Sequence, residues 1–204
     1  MADVEVSAKA PHPVGSPANA AVRDHLVRRM TSLGLAPQVQ RTDVVRQRGD
    51  IVLGGVVENV VGVLPGRDRN APAVALMAHY DSVPGSPGAA DDAAGTAAAL
   101  EIVRALKAQG RPARDVIVLL TDGEESGLLG AQAFFDQHPL AARIGFVINM
   151  EARGGAGRAQ MFQTGAENGG TIELLRKGSV SPAASSLTVF MYERMPNDTD
   201  FSVP

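Results

Sequence analysis

Cysteine and tryptophan are absent, aromatic residues make up only 4% of the chain, and histidine occurs four times in 204 residues. Without thiols there is no disulfide and no thiolate metal site. Any nucleophile or metal ligand must come from Ser, Thr, His, Asp or Glu, and with so few histidines a metal site would be rich in carboxylates. Positive charge is also scarce. Nineteen basic against 22 acidic residues leave a net charge of -3, which excludes a generally basic nucleic-acid surface. No apolar run approaches the ~20 residues that span a bilayer, and the opening segment MADVEVSAKAPHPVG lacks the apolar core of a signal peptide. What remains is the composition of a packed globule. Hydrophobic residues reach 45% and charged residues 20%, with enough Gly (22) and Pro (13) to be turn-rich without being disordered. The length suits one domain, and neither a repeat nor a linker divides residues 1–204.

Ser16 and Pro17 suit a helix N-cap and first turn, and Val22, Leu26, Met30 and Leu33 follow at helical spacing up to Gly34. A helix is predicted over about 17–33. Between 37 and 64, β-rich pieces (Val39–Val45, Val56–Leu64) alternate with turn signals at Arg48-Gly49-Asp50 and Gly54-Gly55, which predicts antiparallel strands. From residue 73 the pattern changes to short apolar runs, Val74–Ala78, Val116–Thr121, Ile144–Met150 and, more weakly, Leu187–Met191. Helical segments at about 93–109, 128–137 and 170–178 separate them. Alternating buried strands and helices predict an α/β domain: three layers, with helices on both faces of a mixed, mostly parallel central sheet.

Three of these strands end in acids. Val74–Ala78 leads into His79-Tyr80-Asp81, Val116–Thr121 into Asp122-Gly123-Glu124-Glu125, and Ile144–Met150 into Glu151. A further pair, Asp91-Asp92, immediately precedes the helix at 93–109. Open α/β sheets bind ligands beyond the carboxyl ends of their strands, so these acids are predicted to converge on one rim. Like charges so crowded either raise one another's pKa or need a cation, and with His79 among them a divalent metal is the simpler account. Carboxylate plus imidazole suits Zn, Mn or Co better than Ca. His79 and Asp81, two apart, project to the same side of an extended strand, so Asp81 can hydrogen-bond the second imidazole nitrogen. Asp91 can bridge two metals, and of Glu124 and Glu125 one can bind metal while the other faces the bound water as general base. Each feature also has an ordinary explanation: His-x-Asp at a strand end, Glu-Glu at a helix start, and Asp92 as an N-cap. Their occurrence together and in order favours a metal site.

At these residues the sequence resembles the co-catalytic zinc exopeptidases, which include bacterial leucyl aminopeptidase, aminopeptidase Y and glutamate carboxypeptidase. The resemblance lies in MAHYDSVPGSPGAADDAAGTAAALE (77–101), VLLTDGEESGLLGAQAF (118–134) and INMEARG (148–154). PHPVGSPANAAVRDHL (11–26), NVVGVLPG (59–66) and PNDTDF (196–201) are most similar to the branch of endoplasmic-reticulum and vacuolar-membrane metallopeptidases. The resemblance implies a zinc-exopeptidase-like fold and two zinc ions. In it His79 and Glu151 are ligands of one zinc, Asp91 bridges to the other, Glu125 is a ligand of that other, Asp81 supports His79, and Glu124 is the general base. It also implies a cis peptide at Asp91-Asp92.

One departure bears on the expected cofactor. The family's final ligand, a His downstream of the DTDF stretch, has no counterpart before Pro204, and His12, His25 and His138 lie in the wrong places to replace it. The chain is therefore expected to be a C-terminally truncated catalytic domain lacking its last strands and helix. It would hold one zinc or none and self-associate through an uncovered edge. The expected activity is removal of N-terminal residues from peptide substrates. The alternatives are a single-zinc acyltransferase like the glutaminyl cyclases, disfavoured by Ala90-Asp91-Asp92-Ala93, and a non-catalytic binding scaffold. The same resemblance implies an extracytoplasmic parent protein.

Overall fold

Strand β4 (Val116–Thr121) is apolar along almost its whole length and buried throughout, as a strand covered on both faces must be. Its side chains alternate between two layers. Val116, Val118 and Leu120 pack with Leu26, Met30, Leu100 and Val103 on one side. Ile117 and Leu119 pack with Phe134 on the other. The computed structural model that shows this describes all residues of the chain except 153, 155–156, 179–180 and 197.

The element order is α1 (Ala2–Ser7), α2 (Pro17–Ser32), β1 (Gln38–Arg48), β2 (Ile51–Leu64), β3 (Ala73–His79), α3 (Ala94–Ala108), β4, α4 (Leu129–Gln137), β5 (Ile144–Asn149), α5 (Gly169–Gly178) and α6 (Ser186–Tyr192). The five strands form one sheet in the order β1-β2-β4-β3-β5. β1, β2 and β4 are joined antiparallel, while β4, β3 and β5 run parallel. Helices α2 and α3 cover one face and α4 the other, giving the three-layer α/β architecture expected. The register places His79 beside Thr121 and Met77 beside Asn149, so the carboxyl ends of three neighbouring strands lie level.

Helix α2 begins as its sequence predicts, with Ser16 Oγ accepting the Asn19 N–H at 3.0 Å and Pro17 in the first turn. Two expectations are corrected. Gly54-Gly55 is not a turn; both residues lie within β2, paired with Val45 and Val44, and the hairpin closes at Gly49, whose φ of 58° suits glycine. Leu187–Met191 is not a strand but most of α6. A five-residue apolar run does not distinguish the two, and here Leu187, Phe190 and Met191 are exposed while Tyr192 is buried.

The chain packs as two compact units, one of residues 1–153 and 199–204, the other of 154–198. The smaller unit contains α5 and α6. Within it Phe162 and Tyr192 meet edge to face at 5.1 Å, and the Arg194 guanidinium lies 3.5 Å from the centre of the Phe190 ring.

Candidate metal centre

His79 ends the middle strand of the parallel trio, so acids from both flanking strands can reach it. Its Nδ1 donates to the main-chain oxygen of Asp81 at 3.0 Å, with the Asp81 carboxylate at 3.5 Å. That bond leaves Nε2 directed at carboxylates, 2.9 Å from Asp91 Oδ1 and 3.7 Å from Glu151 Oε1. A lone pair facing carboxylate oxygens needs either a proton or a cation between them. Burial opposes a charged imidazole, yet Asp81, Asp91 and Glu151 together raise the His79 pKa well above its ordinary value.

The other half of the centre follows β4. Asp81, itself buried, accepts the N–H of Glu124 at 3.0 Å and that of Glu125 at 3.3 Å. The residue that follows β3 thus fixes the turn that follows β4. Burial pushes the Glu124 carboxyl up to about 9, with Asp200, Glu151 and Asp81 adding to the effect and His79 opposing it. Glu125 is raised in the same way, by burial first and then by Asp91. Two donor sets meet the reach of a single cation, His79 with Asp91 and Glu151, and His79 with Glu124 and Glu125; within each, ligand atoms lie within 4.8 Å of one another. Imidazole and carboxylates converging so closely fit a zinc-type ion. All six residues singled out in the sequence, His79, Asp81, Asp91, Glu124, Glu125 and Glu151, are brought together. The Asp91–Asp92 peptide is cis.

Two acids of the predicted rim turn away from it. Asp92 is buried and accepts the Gly95 N–H at 2.9 Å, capping α3. The Asp122 carboxylate accepts from Asn19 Nδ2 (3.0 Å) and from the Glu58 N–H (3.1 Å). The other histidines serve elsewhere. His12 is buried with Nδ1 2.9 Å from the Ala10 carbonyl, His25 pairs with Asp3, and His138 stacks on Phe134. One residue went unassigned in the sequence. Asp200 is buried and accepts from Thr121 Oγ1 at the end of β4. Burial raises its carboxyl to about 7. The DTDF stretch was the available signal, but nothing local indicates that it returns to this strand end.

Residues 59–203 match the sequence profile of Peptidase family M28. The chain belongs to that family. Among M28 relatives, Endoplasmic reticulum metallopeptidase 1 of Mus musculus is 39% identical over 150 residues, covering 72% of this chain. Vacuolar membrane protease of Candida dubliniensis is 34% identical over 178 residues, covering 79%. This chain spans only 17% and 18% of the lengths of those two proteins. Among solved structures, the zinc aminopeptidase BSAP of Bacillus subtilis superposes with a TM-score of 0.70 at 17% identity, over 90% of this chain and 78% of that one. Porphyromonas gingivalis glutaminyl cyclase superposes with a TM-score of 0.65 at 21% identity, over 96% and 77%. At such identities the likeness establishes the fold alone.

Proposed function

We propose that this chain carries the catalytic centre of a zinc-dependent exopeptidase of aminopeptidase type. The observation that carries the proposal is the bond from Asp81 to the Glu124-Glu125 turn, which sets two acids from β4 beside the His79, Asp91 and Glu151 cluster. His79, Asp91 and Glu151 would hold one zinc; Asp91 and Glu125 would hold a second. Zinc bound there supplies Lewis-acid polarisation of the scissile carbonyl and lowers the pKa of a water. The chain's own groups do the rest. Asp81 fixes the His79 tautomer through its main-chain oxygen. Glu124 takes a proton from the attacking water and delivers it to the leaving amine; bound cations beside it would offset the burial that keeps its carboxyl protonated in their absence, leaving it free to act as a base. Membership of the M28 family and the names of the relatives support peptide hydrolysis, and those names also support an extracytoplasmic or membrane-anchored parent. The described residues contain no helix long and apolar enough to cross a membrane.

The test is made on this chain with zinc added. An aminoacyl reporter should be cleaved, cleavage should stop with a chelator, and Glu124→Gln should lower kcat by ~10²–10⁴. Cyclisation of an N-terminal glutamine peptide without cleavage of the reporter would favour the acyltransferase class instead.

A further inference from the structure

Between them, the segment before α2 and the first turn of α2 bond to both loops that carry the metal cluster. His12 N–H donates to Ser82 Oγ at 2.9 Å, and Ser82 N–H donates back to the His12 carbonyl at 3.3 Å. Asn19 Nδ2 reaches two acceptors at once, Asp122 Oδ1 at 3.0 Å and the His12 carbonyl at 3.4 Å. All four residues are at most 2% exposed. The contact is close along its length. A Cβ on Gly88 would stand 2.9 Å from Ser82 Cβ and 3.4 Å from His12 Cε1, and one on Gly123 would stand 3.6 Å from Val14 Cγ2.

We infer that Asn19 is a positioning residue that ties the Glu124-Glu125 turn to the 82–88 loop leading into Asp91, and so sets the spacing between the two halves of the metal centre. The inference rests on the metal reading of that centre. Its chemistry is specific. One nitrogen must donate two N–H bonds to acceptors on different segments, which a primary amide can do and a carboxylate or aliphatic side chain cannot. Asn19 is itself fixed, since it lies in the first turn of α2 with its N–H on the Ser16 cap. Asp122 passes the constraint on. Its Oδ2 accepts from Glu58 N–H, its own N–H donates to Asn59 Oδ1 at 3.0 Å, and it stands two residues before Glu124. Removing the amide leaves two buried acceptors short of a donor and frees the turn from the strap.

The test uses the full-length chain with Asn19→Leu, Asn19→Asp and the exchange Asn19→Asp/Asp122→Asn, which restores an amide–carboxylate pair with the partners reversed. In metal-free protein, amide exchange at 82–88 and 122–125 should quicken about tenfold or more in Asn19→Leu while β3 and β4 keep their protection. Zinc affinity measured by calorimetry should fall ~10–100-fold, as for loss of a group supporting a ligand. The exchanged pair should recover the protection of 122–125 that Asn19→Asp loses, because the 19–122 bond returns, but not that of 82–88, because Asn19→Asp leaves no N–H for the His12 carbonyl. Unchanged loop exchange in a folded variant would overturn the inference, as would a loss of protection spread evenly over the strands or an exchanged pair no better than Asn19→Asp at 122–125. Wild-type protein that takes up no zinc would overturn the metal reading instead, while the exchange measurement, made without metal, still decides the role of Asn19.

Discussion

Asp81 and Glu124 lie 43 residues apart in sequence, and a hydrogen bond of 3.0 Å from the Glu124 N–H to the Asp81 carboxylate joins them. The adjacent Glu125 N–H donates to the other oxygen at 3.3 Å. Asp81→Asn keeps the shape but offers only one acceptor oxygen, and its NH2 must face the second N–H. The Glu125 N–H it faces is only partly buried, so the lost bond costs nearer the lower end of the about 1–3 kcal/mol of an unsatisfied buried donor. Urea unfolding in EDTA should show a loss of that size, and zinc should bind more weakly.

Glu124 and Glu125 are neighbours with different expected roles. Glu124→Gln should leave zinc uptake near wild type. Glu125→Gln should weaken the second, weaker zinc site at least ~10–100-fold, as removal of a supporting group does, and leave the His79 site occupied. Metal analysis after dialysis against buffered zinc decides this. Equal loss in both variants would make Glu124 a ligand rather than the base.

Gly130 lies in α4, where alanine ordinarily stabilises a helix by about 1 kcal/mol. Here a Cβ would meet the main-chain oxygen of Asp122, Asn59 Oδ1 at 2.5 Å and the Asp122 main-chain nitrogen at 2.7 Å. Backbone cannot swing aside as a flexible side chain can, and overpacking costs about 1–3 kcal/mol. Gly130→Ala should therefore destabilise in urea unfolding, against the propensity trend.

Away from the centre, buried Asp115 accepts the Gly66 N–H at 2.8 Å and Arg143 Nη2 at 2.7 Å, with Arg69 at 3.6 Å. Burial alone would raise its pKa, but the Gly66 N–H and the two guanidinium groups hold it below the ordinary 3.8. A folded-state pKa below the unfolded value contributes stability that is complete above the unfolded value and lost as pH falls through the folded one. The stability gap between wild type and Asp115→Asn should be constant above about pH 5 and shrink as pH falls below about 4. A gap that widens on acidification would reverse the assignment.

Much of this architecture is legible in the residues. β3 and β4 read as continuous apolar runs because both faces of the sheet are covered there. β5, expected to be buried, is an edge strand only partly covered, with Ile148 exposed. The acidic ends of all three locate the centre. Elements settled by distant contacts were less legible. α1 (ADVEVS) lacks a helical apolar pattern; its Asp3 pairs with His25 and Arg29 of α2. Gly54-Gly55 reads as a turn until Val44 and Val45 pair with it. In the same way, spacing alone could not separate Asp122, bonded to Asn19, from the acids that face His79.

The donor sets themselves make an asymmetric prediction about metal. His79, Asp91 and Glu151 offer three protein ligands, which with one water complete a tetrahedral zinc site. On the assignment of Glu124 as base and of His79 to the first zinc, the other set among the described residues keeps only Glu125, and even with Asp91 bridging to it two carboxylates completed by water hold zinc weakly. Zinc titrated calorimetrically into metal-free protein should therefore show one tight site per chain, which His79→Ala removes and Glu125→Gln weakens less. Because the acids around His79 raise its pKa, zinc at its Nε2 should displace a proton, and the heat should vary with the ionisation enthalpy of the buffer. Two tight sites would mean that Glu124 ligates the second zinc alongside Glu125, and the general base would then have to be sought elsewhere.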